Sequence, residues 1–133
     1  MAGMSTAGYA AVAAGEDWHY VGEAGEPAFT GDWTGGLAFR IREAGIVDLG
    51  GDVEYPGGVT AAGSEIFVLP EGYRPSVNCT VYSVRVGTAT DVVVGRLTIT
   101  TAGSVLASTS PLTDDMTSAE FGGQFFLDPP DFS

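Results

Sequence analysis

Hydrophobic and polar residues alternate along most of this chain with a period of two, the period of a half-buried β-strand. Leu37, Phe39 and Ile41 alternate with Ala38, Arg40 and Arg42, and Val47 and Leu49 return after the turn Glu43-Ala44-Gly45. The two runs predict a hairpin with Gly45 where positive φ is needed. Gly50-Gly51 inside the return run marks a bulge or a close backbone approach before Val53 and Tyr55 resume the strand. Ile66 to Leu69 form a short apolar run, which Pro70 should end because proline has no N–H for a ladder. A second hairpin follows, with Leu97 and Ile99 facing in, a turn at Thr101-Ala102-Gly103 and a return through Val105. Phe121, Phe125 and Leu127 share one face of the last strand, which Gly122-Gly123 interrupts.

Val77 to Val86 is different, because both faces are partly apolar. One face carries Val77, Cys79 and Val81, the other Tyr82, Val84 and Val86, so the strand is expected to be covered on both sides, by the core and by a neighbouring subunit. With seven to nine short strands and no helical period after residue 17, the pattern predicts an all-β, antiparallel β-sandwich with jelly-roll-like topology.

Residues 1–17 are mostly Ala, Gly, Ser and Thr and end in Glu16-Asp17. They lack the apolar residues to build core, and read as an N-terminal anchoring arm ordered against a neighbour. The head domain is then residues 18–133. No basic flank precedes an apolar stretch in Met1 to Gly15, so the segment is not read as a signal peptide. Between arm and first hairpin lie Trp18, His19, Tyr20, Phe29 and Trp33, interleaved with Gly and Pro. Such rings either lie over the sheet as a core lid or form a ligand platform, since aromatic faces suit sugars and partner chains.

Composition narrows the function. The 133 residues hold 17 Asp and Glu against 5 Arg and no lysine, a net charge of -12. That surface repels phosphate, which makes nucleic acid a poor partner. No run of eighteen apolar residues exists, so no membrane insertion is expected. Catalytic constellations are absent from the sequence. Cys79 and His19 are single residues of their kind, no Gly-x-Ser-x-Gly elbow occurs, and a zinc ligand set is missing. Asp114-Asp115 and the pair Asp128 and Asp131 lack EF-hand spacing and read as solvated loops. Neither a cofactor nor a metal is expected, and the chain is read as a non-enzyme.

One run is more distinctive than the rest: Ile66-Phe67-x-Leu69-Pro70-x-Gly72-Tyr73-Arg74-Pro75. Together with Trp18-x-x-Val21-Gly22-x-x-Gly25-x-Pro27-Ala28-Phe29-x-x-x-Trp33, Phe39-Arg40, Val47-x-Leu49-x-Gly51 and Arg96-Leu97-x-Ile99, it resembles the C-terminal head domains of bacteriophage tail-fibre and minor tail proteins. The resemblance covers residues 18–127 and implies a homotrimeric β-sandwich on a virion, used in host attachment, with carbohydrate as a common ligand. It also implies contacts to other virion proteins through the arm. A capsid decoration protein built on the same fold is the alternative, and a cell-surface polysaccharide hydrolase module the third reading. Within the motif, Phe67, Leu69, Pro70, Gly72, Tyr73, Arg74 and Pro75 read as a structural corner that closes the sandwich. Arg74 is either a partner for carboxylates or a subunit contact. Recognition is expected at the loops 56–64, 87–91 and 108–118.

Overall fold

The computed structural model describes residues 16–43, 45–56, 58, 60–61, 63–88, 91–109 and 116–128. The arm up to residue 15, Asp114-Asp115, and the tail from residue 129 with Asp131 lie outside the described residues, as do parts of the three expected recognition loops.

Eight strands are described and no helix: β1 (His19–Tyr20), β2 (Thr34–Glu43), β3 (Ile46–Glu54), β4 (Ser64–Val68), β5 (Cys79–Gly87), β6 (Val92–Ile99), β7 (Ser104–Thr109) and β8 (Ser118–Phe126). All pairs are antiparallel, in the order β1-β2-β3-β8-β5-β6-β7-β4. What the sequence drew as two facing layers is one continuous sheet curled so that its ends meet. The Thr30 N–H donates to the Ile66 carbonyl at 2.8 Å, and Phe29 bridges Phe67 of β4. Across that closure the Phe39 and Phe67 rings stack at 5.8 Å. The core inside the curl is built from Leu37, Phe39, Val47, Leu49, Ile66, Phe67, Leu69, Leu97, Ile99, Val105, Met116 and Phe121, among others.

Both predicted hairpins form, with Gly45 at φ 87° and Gly103 at φ 93°. Gly51 is the close approach that its sequence position implied. Its φ is 123°, and a Cβ there would overlap the carbonyl oxygen of Gly36 on β2. The bulge itself lies one turn earlier, between Ile41 and Glu43.

The face of β5 is decided by a second irregularity. Register with β6 shifts between Val81 and Val84, so Val81 and Val86, five positions apart, are both buried. A strict alternation would have put one of them outside. The outer side is not covered within the chain at the described positions. Thr80 and Arg85 are exposed, and Val94, paired with Arg85 from β6, is 70% exposed.

Candidate functional site

The corner after β4 is packed and hydrogen-bonded into the fold at specific atoms. Phe67 and Leu69 are fully buried and Pro75 is buried. The Tyr73 N–H donates to the Pro70 carbonyl at 3.1 Å across a turn that Gly72 completes at φ 93°. The Arg74 Nε–H donates to the Leu69 carbonyl at 2.8 Å, a backbone acceptor where a carboxylate partner was one of its two expected roles. The Leu69 N–H in turn donates to Gly103, so the corner grips the second hairpin. Only glycine fits at position 103, because a Cβ would stand 2.7 Å from both the Arg74 Nε and the Leu69 carbonyl oxygen.

Tyr73 does something the motif alone did not reveal. Its hydroxyl donates to Glu16 Oε1 at 2.8 Å and lies 3.1 Å from His19 Nε2. His19 stacks on Phe39 at 5.3 Å and meets Tyr73 edge-on at 5.6 Å. Its Nδ1 is 2.9 Å from Glu26 Oε2 and its Nε2 is 3.2 Å from Glu16 Oε1. Two carboxylates on opposite ring nitrogens are satisfied together only by the imidazolium, which has two donors. The hydrogen bond to Glu26 leads in raising the His19 pKa; burial opposes it, and Glu16 adds to the rise. For Glu16 burial acts upward, but hydrogen bonds from the Ile41 N–H, Tyr73 and His19 outweigh it and hold the carboxyl below its ordinary value. Glu16 also pairs its backbone with β2, its N–H donating to the Ile41 carbonyl while Ile41 donates back to Oε2. Assigned to the arm from sequence, it is bonded into the domain.

Glu26, His19 and Tyr73 run in the order carboxylate, imidazole, hydroxyl, the order of a nucleophile relay. The electrostatics run the other way. Burial and the Glu16 charge push the Tyr73 hydroxyl up to about 12, and its proton is directed at Glu16. An activated nucleophile needs a lowered pKa or a free base beside it. A metal would need its ligands converging, whereas these carboxylates sit on opposite sides of the ring. Among the described residues no group of three His, Cys, Asp or Glu is arranged to hold one. The cluster fastens the segment 16–26 to the corner.

That fastening splits the aromatic segment. Trp33 is buried against Tyr55, edge-on at 5.3 Å, and Phe29 packs on the core, so these two act as the lid. Trp18 and Tyr20 lie on the opposite, outer face of the sheet. The Arg40 guanidinium sits 4.4 Å from the Trp18 ring centre, and Tyr20 is 47% exposed. Beneath and beside them the floor is small. Gly36 and Ala38 of β2 and Gly50 of β3 line one groove of about 360 Å³ with Trp18 and Tyr20.

A second groove, of about 650 Å³, begins on the other side of Trp18 and is lined by Asp48, Thr80, Val81, Gly122, Gly123 and Gln124, with Leu49 at its base. Its cause is the β5 bulge. Pairing of β5 with β8 runs only from Gly87↔Ser118 to Val84↔Phe121, and the strands next meet where Ser76 donates to Leu127 at 2.7 Å. Between those two points no backbone pairing is described, and the Val81 side chain crosses the seam to Gly123, where a Cβ would overlap its Cγ1. Asp48 anchors its far side, held by Arg40 Nε at 3.4 Å and Arg42 Nε at 3.2 Å, while Arg42 also reaches Gln124.

Among the described residues, the two grooves draw none from the loops 56–64, 87–91 or 108–118; they lie on the sheet itself. Trp18 and Tyr20 were named in the sequence as a possible platform. Asp48, Gln124, Thr80 and the glycines were not, because only the strand register brings them together. Compared with family models, with curated proteins and with solved structures, the chain matches none of them.

Proposed function

We propose that this chain is a non-enzymatic attachment protein of a bacteriophage virion, a small minor tail or fibre-head protein, whose outer trough holds a neutral glycan of the host surface. The observation that supports ligand binding most directly is the double groove around Trp18. It combines two accessible aromatic side chains with amide, hydroxyl and carboxylate groups on a glycine floor, the mixture of apolar face and fixed polar groups that saccharides require. A neutral ligand fits better than an acidic one, since Asp48 lines the trough, the pair Asp52 and Glu120 lies two positions along the strands from its Gly50 and Gly122, and the whole chain carries -12. The virion placement rests on the sequence resemblance over residues 18–127. The homotrimer belongs to the same proposal and is favoured by the exposed valines 77, 92 and 94, which a neighbouring copy would cover.

The test is binding of the labelled full chain to an array of neutral bacterial surface polysaccharides and to host cells. Saturable binding is expected, with Trp18→Ala weakening it up to about tenfold, the equivalent of an aromatic contact of roughly 0.5–1.5 kcal/mol. Absence of saturable binding to either would overturn the attachment reading. Polysaccharide cleavage by the pure chain would overturn the non-enzyme reading, and labelled protein found around the virion head would favour a decoration role over a tail one.

A further inference from the structure

The cluster at His19 and the trough at Trp18 occupy opposite faces of the same strand, and the chain links them directly. Trp18 sits between Glu16 and His19, the two residues by which this segment is tied to β2 and the corner. Glu16 is tied by three groups: the Ile41 backbone pair, the Tyr73 hydroxyl at 2.8 Å and His19 Nε2 at 3.2 Å. His19 is tied through Glu26 at 2.9 Å and through its stack on Phe39. The pairing of β1 with β2 holds the backbone that follows Trp18 whatever the state of the ring; the described partners of the Trp18 side chain are the Arg40 guanidinium and Gly50.

We infer that His19 is a proton-dependent latch for Trp18: as the imidazolium it bridges Glu16 and Glu26 and holds the trough wall closed, and as the neutral ring it releases Glu16. The inference concerns regulation of the proposed glycan site and rests on that reading for its biological use, but the latch itself does not need a ligand. A neutral ring has one N–H. Kept on Nδ1, that proton retains Glu26, and the Nε2 lone pair then faces the Glu16 carboxylate at 3.2 Å. The Tyr73 hydroxyl, 3.1 Å from Nε2, now has a competing acceptor there, and if it turns, Glu16 loses its second side-chain donor as well. Only the Ile41 backbone contacts remain to it. The described titratable groups in contact with the ring are Glu16 from the preceding segment, Glu26 from the loop after β1 and Tyr73 from the corner. Phe39, on β2, carries no charge, and its neighbour Arg40 turns to the opposite face over Trp18 and towards Asp48. All the facing charge is negative and favours the proton. The pKa of His19 is raised accordingly, so the latch opens as pH rises through it.

The experiment is acrylamide quenching of tryptophan fluorescence in the full chain from about pH 5 to about pH 9, the range in which histidine titrates. Trp33 is buried and supplies a constant background. The quenching slope of the wild type should rise with pH in one sigmoid, whereas His19→Gln should give a flat, high slope and Glu26→Gln should move the midpoint to lower pH. A wild-type slope independent of pH, or the same sigmoid in His19→Gln, overturns the latch. Should His19→Gln fail to fold, proton NMR of the wild type decides: the His19 ring and the Trp18 indole N–H must titrate together, and independent titration overturns the inference. Because no saccharide is present, the two readings fail separately. Glycan binding without a pH-dependent slope removes the latch alone, and a pH-dependent slope without glycan binding removes the ligand alone.

Discussion

Replacing Gly51 by alanine isolates the contact on which the β2–β3 half of the sheet depends. The substitution meets two separate obstacles. At φ 123° an L-residue is in a region that glycine alone occupies comfortably, at a cost of about 1–3 kcal/mol. The new Cβ would also overlap the Gly36 carbonyl oxygen and stand 2.9 Å from its carbonyl carbon and 3.0 Å from the Leu37 Cα. These are backbone atoms in a paired strand, so relief requires β2 to move, which by comparison with other overpacked sites costs about 1–3 kcal/mol more. The sum, about 2–6 kcal/mol, is a large part of the roughly 5–15 kcal/mol of a typical domain. Urea unfolding followed by tryptophan fluorescence, to which exposure of the buried Trp33 contributes, measures it. With a slope of about 1–3 kcal/mol per molar, the midpoint should fall by about 1 M or more without a change in slope. Gly36→Ala is the matched control on the partner strand. A Cβ there meets nothing within 4 Å, and its expected effect runs from neutral to about 1 kcal/mol stabilising. Equal midpoints for Gly51→Ala and wild type, or equal losses for the two variants, would refute the reasoning.

Two further outcomes test the corner and its cluster. Tyr73→Phe keeps the ring over Phe39 but removes the hydroxyl donor to Glu16, and should cost about 1–2 kcal/mol, the scale of a charge-assisted hydrogen bond discounted for partial exposure; an unchanged melting temperature would show that this bond contributes nothing. The pH profile of stability follows from the two shifts. His19 has a raised pKa, so its contribution is fully present below 6.5 and is lost as pH rises through the folded value; Glu16 has a lowered one, so its contribution is present above 4.5 and is lost as pH falls through the folded value. Cluster stability should therefore be highest between 4.5 and 6.5, and thermal melts in which His19→Gln leaves the profile unaltered on the alkaline side would contradict this assignment.

Much of the fold was legible because it is local. The two hairpins, the termination at Pro70 and the inward faces of Leu37, Phe39, Leu97, Ile99, Phe121 and Phe125 follow from a period of two and from glycines that supply positive φ. The double face of Val77 to Val86 could not be resolved that way. Two inward residues five apart need a bulge, and a bulge is stabilised by its partner strand, not by its own sequence. The candidate site divides along the same line. Trp18 and Tyr20 stood out as rings in a glycine-rich segment, but whether a ring is a lid or a wall depends on which face of β2 it lies against.

What the sequence determined by itself was therefore the longer strands, the inward faces of all of them but β5, and the turn of the corner from Phe67 to Pro75, because these rest on side-chain alternation and backbone permission at single residues. The tertiary structure alone decided the rest: the curl that brings Phe29 to Phe67, the unpaired seam between β5 and β8, and the meeting of Tyr73 with Glu16 across 57 positions. Contacts of that kind have no period in the chain. They exist because register and twist place distant residues side by side, and the chemistry of this protein is concentrated there.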